Sequence, residues 1–128
     1  MAGYIKGTTA TFISAADYSA TPYRLVHVTG EDIVTRSTDA DGAGQFPLGV
    51  MTDQVGSASG DAVTVQMSGI AKIESGAAVA VGSSITTDGS GRGIATTTAG
   101  DFCIGIALQA SAGAGEIIPV AITSFVFA

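Results

Sequence analysis

The chain predicts an all-β fold: a single compact β-sandwich or β-barrel-like domain of about ten short strands with an extended N-terminal arm. Three observations carry the prediction. Short runs of β-branched and aromatic residues alternate with turn-forming segments, and none has the 3.6-residue apolar period of a helix. Among the 128 residues, 18 are glycine, about twice the ordinary share, as many tight turns and closely approaching backbones require. One hairpin is also written twice. Gly44-Gln45-Phe46-Pro47-Leu48-Gly49-Val50-Met51, returning as Gly60-Asp61-Ala62-Val63-Thr64-Val65-Gln66-Met67-Ser68, is matched by a later pair of segments. These are Gly100-Asp101-Phe102-Cys103-Ile104-Gly105-Ile106-Ala107 and Gly115-Glu116-Ile117-Ile118-Pro119-Val120-Ala121-Ile122-Thr123. The copies are offset by 56 residues, falling to 55 after one deletion in the connection. Gly49 and Gly105 fall at equivalent strand centres, where glycine is costly unless a bulge or a close neighbour requires the missing Cβ.

Taken in order, residues 1–22 read as the arm, with one strand in Thr8-Thr9-Ala10-Thr11-Phe12-Ile13-Ser14 and isolated tyrosines at Tyr4 and Tyr18. Residues 23–128 form the β domain, and the two similar hairpins occupy 44–68 and 100–123. Tyr23-Arg24-Leu25-Val26-His27-Val28-Thr29 and Asp32-Ile33-Val34-Thr35-Arg36 make a hairpin about Gly30. Residues 37–44 are a loop, because Asp and Gly favour turns. Val63, Val65 and Met67 share one face of the next strand; Ser68-Gly69 breaks the alternation, so a bulge or sharp bend belongs there before Ile70-Ala71-Lys72-Ile73. Val79-Ala80-Val81 is a short apolar segment, Ser84-Ile85-Thr86-Thr87 a strand, and residues 88–93 a glycine-rich turn into Ile94-Ala95-Thr96. At the C-terminal end Phe125 and Phe127 lie on one face and Val126 on the other, so the core or a sister subunit must cover them.

Composition excludes several functions. A net charge of −6, with Lys6, Arg24, Arg36, Lys72 and Arg92 dispersed, leaves no basic face for nucleic acid. No apolar run approaches the roughly 18 residues of a membrane span, and no signal peptide is visible. Cys103 reads as a small buried hydrophobe, and His27, on the strand face of Leu25 and Thr29, as a structural histidine. Asp39-Ala40-Asp41-Gly42 opens like a calcium loop, but Val50 stands where a bidentate glutamate is needed, so it reads as a surface turn. Gly89-Ser90-Gly91-Arg92-Gly93 lacks the Lys-Ser/Thr of a phosphate cradle. Catalytic, cofactor and metal sites are therefore expected to be absent.

The stretch from Thr96 to Ala110 (Thr96-Thr97-Thr98-Ala99-Gly100-Asp101-Phe102-Cys103-Ile104-Gly105-Ile106-Ala107-Leu108-Gln109-Ala110), with Gly113-Ala114-Gly115-Glu116-Ile117-Ile118-Pro119-Val120-Ala121-Ile122, resembles the capsid decoration, or cement, proteins of tailed bacteriophages. The Gly-Ser-x-Ile-Thr-x-Asp-x-x-Gly pattern within residues 79–93 is similar as well. The resemblance implies a virion structural protein, made in the host cytoplasm, that binds the outer capsid surface and bridges subunits of the major capsid protein. It implies a homo-oligomer matched to a local symmetry axis, a trimer first and a dimer second. Under this reading Tyr4, Ile5, Lys6, Phe12, Tyr18, Tyr23, Phe125 and Phe127 are the candidate capsid or subunit contacts. The alternatives are a β module of a tail or head fibre and a carbohydrate-binding sandwich, the latter weakened by the absence of tryptophan.

Overall fold

The β-branched runs fold as strands in a computed structural model that describes residues 5–56 and 58–128. Eleven strands stand among the described residues: β1 (Ile5–Lys6), β2 (Thr9–Ser14), β3 (Leu25–Gly30), β4 (Ile33–Arg36), β5 (Gly49–Val55), β6 (Ala62–Gln66), β7 (Gly69–Glu74), β8 (Ser84–Thr87), β9 (Gly93–Ala95), β10 (Phe102–Ala107) and β11 (Ile117–Val126). Strands β2-β4-β3-β5-β6 close into a small barrel, and β1-β7-β11-β10-β8-β9 form a six-stranded sheet. Val79-Ala80-Val81 contributes only a bridge from Val79 to Ser111, because Gly82 turns the chain at φ 83°.

The duplication extends far beyond the hairpins. Each half is the same five-stranded unit, β2–β6 and then β7–β11. Ala10↔Val65 in the first half is matched by Ala71↔Val120 in the second, Met51↔Val65 by Ala107↔Val120, Val26↔Gly49 by Ile85↔Gly105, and Val28↔Val34 by Thr87↔Gly93. Equivalent residues are 61 apart in the opening strand, 59 in the next two, then 56 and 55. Buried serines repeat too. Ser14 donates its hydroxyl to Ala58 O and Asp61 O, and Ser75 donates its own to Gly113 O.

Gly49 and Gly105 show why the hairpins kept their glycines. A Cβ on Gly49 would run into the backbone carbonyl of Gln66, and one on Gly105 into that of Ala121, which is Gln66's repeat-mate. Gly49 is the first residue of β5 and not its centre, while Gly105 lies inside β10. The bend expected at Ser68-Gly69 is the joint between the halves: Gly69 turns at φ 82°, and the Gln66 amide donates to Ser68 O at 2.8 Å and Ile70 O at 3.1 Å.

Two cores follow the repeat. Val26, Met51, Val63 and Val65 fill the first barrel, with Phe12 and Leu48 packed against them; their mates Ile85, Ala107, Ile118, Val120, Ile73 and Ile104 fill the second unit. Leu25 and Val50, whose neighbours Val26 and Met51 face the first interior, pack instead into the second core and join the halves. Cys103 is fully buried, and burial together with the Asp101 charge pushes its thiol pKa up, so it stays protonated. His27 is buried with Nδ1 3.2 Å from Ser37 Oγ, and burial pulls its pKa down towards the neutral form.

Candidate interaction surface

The residues expected to form contacts do not meet in one place. Tyr4 lies outside the described residues, and Ile5 and Lys6 form β1, which pairs with Ile70 and Gly69 of β7. Thr9–Ser14, expected within the N-terminal arm, is a barrel strand between β6 and β4, and Phe12 packs half-buried against the first core. Tyr18 is only 8% exposed. Its hydroxyl accepts a hydrogen bond from Arg36 N at 3.2 Å, and the Arg36 guanidinium lies 5.5 Å from its ring centroid, so its polar and aromatic faces are both engaged within the chain. Very little of Tyr18 is left for a partner.

Tyr23 is half-buried at the seam between the halves, beside a cleft of about 230 Å³ that is also lined by Met51, Asp53, Gln66 and Lys72. Its backbone sits at φ 61°, a left-handed conformation that costs a tyrosine about 1–2 kcal/mol and that its repeat-mate Gly82 adopts freely at φ 83°. Phe125 near the end of β11 and Phe127 just beyond it are both half-buried; Phe125 lies opposite Cys103, and Phe127 exchanges backbone hydrogen bonds with Asp101 O and Gly100 N. The chain's own β10 therefore pairs with the backbone of the C-terminal segment, while Val126 stays exposed on its face.

Sequence reasoning passed over a different group. Phe46 and Phe102, equivalent residues of the two hairpins, pack against each other in a tilted pair with ring centroids 5.4 Å apart and planes inclined at 53°. Val126 lies opposite Phe102 across the β10–β11 ladder, which extends the apolar surface. Beside it runs the loop between β4 and β5, pinned by Gln45, whose side-chain carbonyl accepts from Thr38 N at 2.9 Å and Asp39 N at 3.0 Å. Phe102 N donates to Ala40 O at 2.7 Å and fastens that loop to the second half. Asp39 and Asp41 are exposed on the loop. A hydrogen bond with Asp39, and then the Asp39 charge, raise the Asp41 pKa. The signal that could have found this group was in the sequence: two phenylalanines at the same point of the repeat.

The sequence profile of the phage cement proteins matches residues 6–122. The chain belongs to the phage cement protein family. A cement-family chain has a structural, capsid-stabilising role, and its place is the virion capsid. No curated protein matches it. Among solved structures it is similar to the head fibre gp8.5 N base of bacteriophage phi29, at 20% identity and a TM-score of 0.67, covering 91% of this chain and 93% of that one. At that identity the likeness speaks for a shared fold.

Proposed function

We propose that the chain binds the outer surface of the assembled capsid and bridges adjacent major capsid subunits, as a homo-oligomer, with a trimer on a three-fold or quasi-three-fold axis as the first choice. The family match over residues 6–122 carries this reading. The fold suits it. A closed barrel and a six-stranded sheet, stitched through Leu25 and Val50, make one body, and a site repeated over a shell adds many modest contacts without any chemical step. Because residues 9–14 are committed to the first barrel, the arm's contribution to a neighbour falls to the segment ending in β1, and Phe125 and Phe127 remain contact candidates only through their exposed edges.

The second reading, a module at the base of a head fibre, draws on the fold it shares with the phi29 protein. Particles with and without the chain separate the two. For a cement, the decorated shells carry density lying flat on the surface in electron micrographs and rupture at a higher temperature than bare shells. For a fibre module the density projects outward, and the rupture temperature does not move.

A further inference from the structure

We infer that the end of the molecule where the two halves differ most, formed by Asp39, Asp41, Phe46, Phe102 and Val126, docks against a positively charged, apolar surface of the shell subunit. This rests on the capsid-binding reading above and names the face that makes the contact.

The apolar part is exposed and continuous. Phe46 is 45% and Val126 49% exposed, and Phe102 joins them, its ring tilted against the first and its backbone paired with the second. Aromatic side chains held rigidly by their own chain supply contact area at little entropic cost, as interface anchors do. The patch is also where both departures from the repeat converge. The loop carrying Asp39 and Asp41 is three residues longer than its counterpart between β9 and β10, since the offset falls from 59 to 56 across it. β11 meanwhile runs to Val126, whereas β6 stops at Gln66.

That overhang has an open edge. β7 pairs with β11 only as far as Ala121, so among the described residues no strand faces 122–126 on the side away from β10. Ile122, Thr123, Ser124, Phe125 and Val126 include neither charge nor proline, the usual guards of such an edge, so an extended segment of a partner can add to it.

Charge selects the partner. Arg24 is paired with Glu74 at 3.2 Å and Arg92 with Asp88 at 2.9 Å, Arg36 lies on Tyr18, and Lys72 is at the seam cleft. These four cations are engaged with other groups, and at the patch the neighbouring Asp39 raises the proton affinity of the exposed Asp41. A lysine or arginine on the partner relieves that repulsion. A second copy of this chain meeting it face to face brings the same carboxylates to the same place.

The test uses full-length protein and isolated capsids stripped of it. Two variants probe the face, F46S/V126S for the anchors and D39N/D41N for the charge, each checked for an unchanged melting curve. Val81→Ser is the control, because Val81 is 68% exposed near the Ala107 end of β10, away from Phe102. Each face variant is expected to weaken capsid binding by about tenfold or more, and the control by less than about twofold. Wild-type affinity should fall with added salt, and D39N/D41N should flatten that dependence. If wild type binds while both face variants bind equally well with the same salt response, this inference fails and the cement reading stands. If F46S/V126S changes the mass in light scattering but not capsid affinity, the face joins copies of this chain and the inference is overturned. If wild type binds no capsid, the cement reading fails and this inference falls with it.

Discussion

The first half closes its barrel where β2 and β4 run parallel at Ile13↔Ile33 and Ser14↔Val34, whereas the second brings β7 and β9 together only at the bridge Ser75↔Gly93. The same residues are involved, since Ser14 answers to Ser75 and Val34 to Gly93. What differs is volume. A Cβ on Gly93 would come within 2.9 Å of both Ile73 and Ile85, which stand where the first half has Phe12 and Val26, so the space that Val34 fills in one barrel is already taken in the other. The second half then completes its core with Leu25 and Val50 borrowed from the first. Duplication thus supplied two scaffolds, and small changes in side-chain volume made one dependent on the other.

The largest expected effects test whether the repeat is energetic as well as geometric. Gly49→Val and Gly105→Val each drive a side chain into a backbone carbonyl that cannot yield, and each should cost about 3 kcal/mol, or roughly 12 °C in Tm by circular dichroism. Equal losses support the equivalence; a variant at either site that melts like wild type breaks it. Leu25→Ala should cost about 2–4 kcal/mol, because it opens a cavity in the second core from a residue of the first half. Its repeat-mate Ser84 is half-buried, and Ser84→Ala should cost less than about 1 kcal/mol. Comparable denaturation midpoints for those two variants would contradict the borrowed core.

A subtler pair sharpens the comparison at the backbone. Asp32, at φ 57°, stands where the second half has Gly91 at φ 79°. Asp32→Gly should change stability by no more than about 0.5 kcal/mol, while Gly91→Ala should lose about 1–2 kcal/mol, since its new methyl is strained and crowds Arg36. The smallest effect concerns pH. Burial lowers the His27 pKa below its ordinary 6.5, so the unfolded chain takes up a proton before the folded one does. Its contribution is present above that value and is lost as pH falls through it. Wild type should therefore lose more Tm than His27→Gln between about pH 7 and about pH 5. Parallel pH profiles would show that His27 titrates alike in both states.

Much of the architecture was legible because strands carry their pattern locally. Alternation and β-branching marked β2 to β4 and β6 to β8, and the repeated hairpin was visible because Gly49 and Gly105 are each held by a clash that no other residue can relieve. The equivalence of β2 with β7 was not legible. Thr9-Ala10-Thr11-Phe12-Ile13 and Ile70-Ala71-Lys72-Ile73-Glu74 share only the alanine, yet they pair identically with β6 and β11. The aromatic patch was missed for a related reason. Tyr18 reads as an exposed aromatic in a weakly patterned segment, and only the fold brings Arg36 over it; Phe46 and Phe102 read as ordinary hairpin residues, and only the fold sets one against the other.

Most of the strands, the turns and the two glycines on which the hairpins depend are written in the residue order, because these follow from backbone conformation and from contacts within about twenty residues. The sequence also carried the family resemblance, which is a property of the order of residues. The tertiary structure alone decided that one barrel closes and the other stays ajar, that Leu25 and Val50 serve the other half, and that an aromatic patch with an acidic flank forms where the repeat breaks. Those outcomes depend on which volumes meet across the core and which segments overhang it, and residues far apart in the chain settle both.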